Sequence, residues 1–225
     1  MKTSMARRLG VAAAMVAGIL LAGRLPLARE IAVALPDPKL DQAPGTHGEQ
    51  TAVFAGGCFW GVEAVFRHVK GVTAAVSGYA GGTPAAPSYE QVSSGQTGHA
   101  ETVSVRYDPA QVSYGQLLKV FLSVAHNPTE LNYQGPDHGT QYRSVIFYTN
   151  ADQREVAQAY IGQLNDAHVY PKPIVTQLVP YKVFYPAEGY HQDYLAHHPD
   201  NPYVAYNDLP KLDELKRLYP DRWRP

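Results

Sequence analysis

Apolar and polar positions follow two periods along this chain, one of strands and one of helices. Thr51–Phe54 is a short strand-like run, and after two glycines Val62, Val65, Phe66 and Val69 recur at helical spacing. Val72–Tyr79 and Thr102–Tyr107 read as strands, the second with clear alternation. Between them Gly81, Gly82, Pro84 and Pro87 mark a loop, and Ser88–Ser93 a brief helical turn. Leu117, Leu118, Phe121, Leu122 and Val124 give an amphipathic helix that stops at Asn127-Pro128. Ser144–Tyr148 predicts a strand, and Asp152–Asn165 a helix with Val156, Tyr160 and Leu164 on one side. Ile174–Leu178 and Lys182–Tyr185 look like strands with Pro180 between them. Glu188–His197 reads as one or two helical turns and Leu212–Leu218 as a closing helix. Asn132–Gln141 is all turn formers without periodicity, and a loop of that length inside a compact domain is usually functional. Intermixed strands and helices without an internal repeat predict one α/β-type domain over residues 51–220.

The first 34 residues have a different pattern. Lys2, Arg7 and Arg8 precede an apolar run from Leu9 to Gly23, which Arg24 ends. That is the layout of an export signal, and the run is shorter than the roughly 20 residues of a comfortable membrane span. Ala32-Val33-Ala34 offers a small-residue cleavage site, with uncleaved anchoring as the alternative, and Arg7-Arg8 hints at twin-arginine export. Residues 1–34 are therefore expected to be an export signal or signal anchor, which puts the domain in the periplasm or facing the exterior. Leu35–Gln50 is polar and rich in Pro and Gly, a linker or an extended arm.

Charge excludes one class of partner. The chain carries −1, and residues 1–34 hold five of its Lys and Arg and one Glu, so the remainder is near −5. No basic patch remains, and nucleic acid is not an expected partner.

Candidate chemistry centres on Ala55-Gly56-Gly57-Cys58-Phe59-Trp60-Gly61. Cys58 is the one cysteine of the sequence, so it is either a buried small hydrophobe or a reactive thiol. It stands where a strand turns into a helix, and the helix N-terminus is expected to favour the thiolate. Phe59 and Trp60 beside the sulfur suit the wall of a small apolar pocket. Tyrosine is abundant, 16 residues, more than packing alone asks for and useful as hydroxyl donors on an apolar wall.

GCFWG is followed in order by GYAGG (Gly78–Gly82), YEQV (Tyr89–Val92), GHAETVSV (Gly98–Val105), QGPDHGTQYRS (Gln134–Ser144) and AEGYHQDYL (Ala187–Leu195). With this series the chain resembles the peptide methionine sulfoxide reductase A family over nearly all of residues 51–210. The resemblance implies an α+β roll, a mixed sheet flanked by helices and related to ferredoxin-like folds, in one domain. It implies reduction of the S epimer of methionine sulfoxide, free or in oxidised proteins and peptides. Such chemistry needs a thiolate, an acid at the sulfoxide oxygen and an apolar slot for the methyl group. By resemblance Cys58 is the nucleophile and Glu101 the acid, whose pKa burial must raise; residue type alone reads Glu101 as a strand-end surface carboxylate. Tyr89 and Tyr142 resemble the two hydroxyl donors at the same oxygen. Phe59 and Trp60 match the methyl-binding wall, and Asp137 a residue that positions substrate or orders water, although it reads equally as a turn aspartate. His191 and Tyr194 resemble supporting and pocket-lining groups.

One departure from the family has a consequence. Many members carry further cysteines near the C-terminus, and this tail has none. A Cys58 sulfenic acid would then be reset by an external thiol, thioredoxin-like or glutaredoxin-like, through a mixed disulfide, with no bound cofactor or metal. The protein is expected to act as a monomer. Three rival readings stand beside this one. They are a Cys–His hydrolase with His99 or His191 as base, a metal-binding module built on the nine histidines and the His197-His198 pair, and a non-catalytic binder of oxidised methionine.

Overall fold

In a computed structural model the described residues are 32–42 and 48–225. The export-signal reading therefore falls almost wholly outside them. Strand β1 (Gln50–Ala55) continues the run seen in the sequence and leads through Gly56-Gly57 into helix α1 (Phe59–Arg67). The chain then forms β2 (Val72–Ala80), α2 (Tyr89–Ser93), β3 (Ala100–Tyr107) and α3 (Tyr114–Val120). A two-residue hairpin follows, β4 (Tyr133–Gln134) and β5 (Asp137–His138), then β6 (Val145–Tyr148) and α4 (Ala151–Asp166). Strands β7 (Gln177–Pro180) and β8 (Phe184–Pro186) precede α5 (Tyr194–His197) and α6 (Leu209–Leu218). Ser88 and Ser113 cap α2 and α3, each with a glutamine three residues on that bonds back to the cap.

Six strands make one mixed sheet in the order β7-β6-β1-β3-β2-β8, antiparallel except for the β6–β7 pair. The mixed sheet flanked by helices is thus the one expected from the sequence. Alternation sorts its residues. Ala52, Phe54, Val103, Val105 and Tyr107 join the large core with α1, α3 and α4, whereas Val53, Ala55, Ala80, Ala100, Val145 and Phe147 form a second cluster. The Phe54 ring stacks between Phe66 at 5.2 Å and Phe121 at 4.7 Å, which ties β1 to two helices. Burying one such ring is worth about 1.5–3 kcal/mol relative to exposing it.

Several elements depart from their expected bounds for identifiable reasons. The first half of the Ile174–Leu178 run is not in the sheet, because Ile174 N–H donates to Asn165 and Val175 N–H to the Pro128 carbonyl. The ladder with β6 begins at Gln177 and runs to Pro180, so that proline closes a strand rather than separating two. The second strand starts at Phe184, not Lys182. The helix expected through Val124 widens into a π-turn over Phe121–Ala125. Leu35–Gln42 is a docked arm, not a free linker. Leu35 is buried, Tyr160 Oη donates to the Pro36 carbonyl at 2.8 Å, and Asp41 accepts from Gly115 N–H at 2.8 Å and from the Ser113 hydroxyl.

Candidate active site

The turn at Gly56-Gly57 delivers Cys58 as the residue that opens α1. Gly57 has φ +85°, and a Cβ there would stand 2.7 Å from Gln134 Cβ. Glycine thus lets the Asn132–Gln141 loop close against the turn. Gln134 is itself fixed by exchanging hydrogen bonds with the Asn127 backbone at 2.9 and 2.7 Å.

Glu101 lies in the same alternation phase as Val103, Val105 and Tyr107, so β3 sends it into the helix layer beneath α1. It is 2% exposed, and its Oε2 accepts the Phe59 N–H at 3.0 Å. It is therefore not the surface carboxylate that its residue type suggests. Burial raises Glu101 to about 8, with Asp137 and Asp208 adding to the rise and the Phe59 N–H opposing it. At neutral pH this carboxyl is mostly protonated.

The same turn corrects the expectation for Cys58. The Phe59 N–H is taken by Glu101, and what remains to favour the thiolate is the Trp60 N–H and then the Lys211 ammonium. Burial, then Glu101, then Asp208 act the other way and hold the thiol well above its ordinary range. Cys58 is only partly buried, and desolvation beside two carboxyl groups still outweighs the helix terminus and favours the thiol over the thiolate.

Tyr89 opens α2, and Tyr142 closes a 3₁₀ turn over Thr140–Tyr142. Burial pushes both phenols up, and Glu101 and Cys58 add to this in each case, so both tyrosines lie within electrostatic reach of the same pair. Each remains a neutral hydroxyl donor. Tyr89 is held at its backbone, where its N–H donates to Glu188 at 2.9 Å, and Glu188 also accepts from Tyr79 Oη at 2.9 Å.

Phe59 is 1% exposed and packs between Tyr79 at 5.8 Å and His191 at 5.1 Å. Trp60 is partly open, with its indole Nε1 donating to His191 Nδ1 at 3.1 Å and its ring stacked on Tyr194 at 3.7 Å and 6°. His191 and Tyr194 thus fix the orientation of the indole. Glu63, also buried, accepts from Ser77 Oγ at 2.6 Å and from Asp193 N–H at 3.0 Å, which ties α1 to β2 and to the segment carrying His191.

Three side chains at the site went unnoticed in the sequence. Tyr203 donates to Asp137 Oδ2, and its ring meets Trp60 edge-on at 6.0 Å. Burial raises Asp137, while the Tyr203 hydroxyl draws it down. Asp208 is fully buried and pairs with Lys211 at 3.2 Å. The tyrosines of the tail were visible in the sequence, but nothing in their spacing separates Tyr203 from its neighbours.

The rival readings find little support. The charged groups acting on Cys58 are two carboxyls and an ammonium, not an imidazole. His191 is engaged by the indole, and His99 is buried beside Tyr185 at 5.9 Å. Among the described residues no three His, Cys, Asp or Glu side chains converge as metal ligands. A thiol, a neutral carboxylic acid and two phenols around one point can attack an electrophilic atom while donating protons to the oxygen it carries.

Comparison with known proteins agrees with that chemistry. Residues 50–222 match the family model described as peptide methionine sulfoxide reductase. The chain is 61% identical over 173 residues to peptide methionine sulfoxide reductase MsrA 2 of Mesorhizobium japonicum, covering 77% of this chain and 89% of that protein. It is 51% identical over 191 residues to MsrA 2 of Synechocystis, covering 84% and 89%. Among solved structures it is similar to reduced Mxr1 from Saccharomyces cerevisiae, with TM-score 0.61, 34% identity and coverage of 72% and 92%. Methionine sulfoxide reductase A of Corynebacterium diphtheriae gives TM-score 0.58 at 34% identity, covering 76% and 85%.

Proposed function

The chain belongs to the peptide methionine sulfoxide reductase family and reduces methionine sulfoxide to methionine, and from that premise we propose how its own residues carry the reaction. The observation that carries the assignment is the neutral, buried Glu101 carboxyl bound at the Phe59 N–H, one residue from the sulfur of Cys58. Cys58 attacks the sulfoxide sulfur while Glu101 gives its proton to the oxygen, and Tyr89 and Tyr142 donate hydrogen bonds to the same oxygen. The attack forms an S–S bond as the S–O bond breaks, and the oxygen leaves as water carrying the Glu101 and thiol protons. Water then adds to the Cys58 sulfur and returns a proton to Glu101. The S–S bond breaks, the thioether leaves as methionine, and the water oxygen ends on Cys58 as a sulfenic acid. The acid thus finishes protonated. Two electrons have passed from Cys58 to the substrate sulfur. The half-open Trp60 ring supplies an apolar contact for the substrate methyl group, and the Asp137–Tyr203 pair borders that contact.

Reset requires a thiol from outside, because the sequence has no second cysteine. One external thiol condenses with the sulfenic acid, releasing water and leaving a mixed disulfide. A second thiolate then frees Cys58. A thioredoxin-like or glutaredoxin-like dithiol serves both steps, and oxidised proteins exported with this chain are its substrates. The S epimer is the one accepted.

Dithiothreitol-driven turnover of resolved S and R methionine sulfoxide peptides tests this reading, with Cys58→Ser as the blank. Turnover of S alone is expected. Turnover of R, or activity surviving in Cys58→Ser, would overturn it.

A further inference from the structure

The C-terminal segment carries a charge pair that the reaction above leaves unused. A π-turn over Val204–Asp208 widens the helix just before α6 and turns Asp208 inward, where it is 0% exposed. Asp208 Oδ1 accepts from Lys211 Nζ at 3.2 Å, whereas Oδ2 is buried with no hydrogen-bond partner among the described residues. Both groups lie against the first turn of α1. A Cβ built on Gly61 would stand 2.2 Å from Asp208 Oδ1 and 2.7 Å from Lys211 Nζ. Gly61 follows Cys58 by three positions, one helical turn, so the bare backbone there brings the pair onto the face that opens with the thiol.

A buried carboxylate with one oxygen unpaired is costly: burial raises Asp208, the Lys211 ammonium draws it back down as an anion, and Asp137 adds to the rise, so the contact with Lys211 meets only part of that cost. The arrangement makes sense if the second oxygen answers to a charge that changes during the reaction. We propose that Asp208 and Lys211 are a positioning pair that sets the reactivity of Cys58, the carboxylate keeping the resting sulfur protonated and the ammonium serving as counter-charge once it ionises. The two act with opposite sign. Asp208 opposes the thiolate and Lys211 favours it. The other groups facing Cys58 are Glu101 from β3, Tyr89 from α2, Tyr142 from the 3₁₀ turn and Tyr203 from the tail. Lys211 is the cation of this set, and it also acts on Asp137 and His126. For an enzyme with one cysteine, a sulfur that stays protonated until substrate arrives is protected from stray oxidants, since susceptibility follows thiolate character.

The inference rests on Cys58 being the nucleophile, but its test reads the sulfur directly and needs no turnover. The pH dependence of Cys58 alkylation by iodoacetamide, followed by mass spectrometry on the whole chain, gives the midpoint of thiol ionisation. Asp208→Asn should lower that midpoint by about one unit, a tenfold gain in thiolate at pH 7. Adding Lys211→Met to Asp208→Asn should raise it again, and adding Lys211→Arg instead should leave it low. A purely structural role would move the variants together or not at all. An unchanged or raised midpoint in Asp208→Asn overturns the proposal, as does a double variant with Lys211→Met no higher than Asp208→Asn. If Asp208→Asn fails to fold by circular dichroism, Lys211→Gln on the partly exposed lysine carries the test. There the midpoint must rise, and no rise overturns the proposal.

Discussion

Replacing Glu101 by Gln removes the transferable proton and little else. The amide keeps the shape, its oxygen still accepts the Phe59 N–H, and its NH₂ still donates to the sulfoxide oxygen. Binding should therefore be retained while the chemical step slows. With Glu101 at about 8, roughly nine molecules in ten carry the proton at pH 7, so the wild-type enzyme works with its acid nearly fully loaded. Loss of a positioned general acid typically costs about 10²–10⁴-fold, and the surviving amide donor puts the expected loss near 10²–10³ in single-turnover rate. The sign of the pH effect follows from the raised value. A group that must be protonated supports the rate below about 8 and loses it as pH rises through that value. The assay is rapid-quench conversion of an S-sulfoxide peptide by excess enzyme without reductant, from pH 6 to pH 9.5 (about the range that brackets the acid). Wild type should lose rate across the upper part of this window, and Glu101→Gln should be slow throughout without that decline. A variant within a few-fold of wild type, or one that keeps the alkaline limb, would remove Glu101 from the acid role. The same raised value makes a stability statement. Folding stability linked to Glu101 is fully present below its unfolded value near 4.5 and is lost as pH rises through about 8. Glu101→Gln should accordingly gain most in melting temperature, relative to wild type, at pH near 9 and least near pH 5 (roughly the two ends of that linkage).

Three further outcomes are expected. Tyr203→Phe leaves Asp137 without the hydroxyl it accepts from, and should lower kcat/KM by about 10-fold while preserving the fold, as judged by circular dichroism. Gly57→Ala places a side chain at φ +85° against Gln134 and should cost about 1–3 kcal/mol in urea unfolding; a neutral result would contradict the packing of the loop on the turn. Removing residues 1–42 takes away the buried Leu35, the acceptor for Tyr160 and the Asp41 bonds to α3, and should lower the melting temperature by several degrees with the active-site chemistry intact.

The sequence revealed most where chemistry is local. The strand, the two glycines and the helical spacing after Cys58 place the sulfur at a helix start, and the structure has it there. The alternation of Thr102–Tyr107 fixes which residues share a face, and extending it back by one step sends Glu101 inward with Val103. Partnerships across the fold were not legible. The helix terminus predicts a thiolate only if its N–H groups are free. Glu101, 42 positions beyond Phe59 in the chain, takes the first of them. Asp208 was hidden for a different reason. A π-turn adds a residue to the helical repeat, so a period of 3.6 does not show that Asp208 points inward. The strand start at Ile174 was not legible because a side chain and a loop carbonyl, not ladder partners, satisfy that backbone.

The most direct test of the account is one turnover in the absence of any reductant, with products and enzyme weighed together. One methionine should appear per enzyme molecule. Cys58 should gain one oxygen, trapped by a sulfenic-acid reagent, and the reaction should then stop until a thiol is added. Methionine released without oxygen on Cys58, or continued release with no thiol present, would contradict the single-cysteine cycle at its centre.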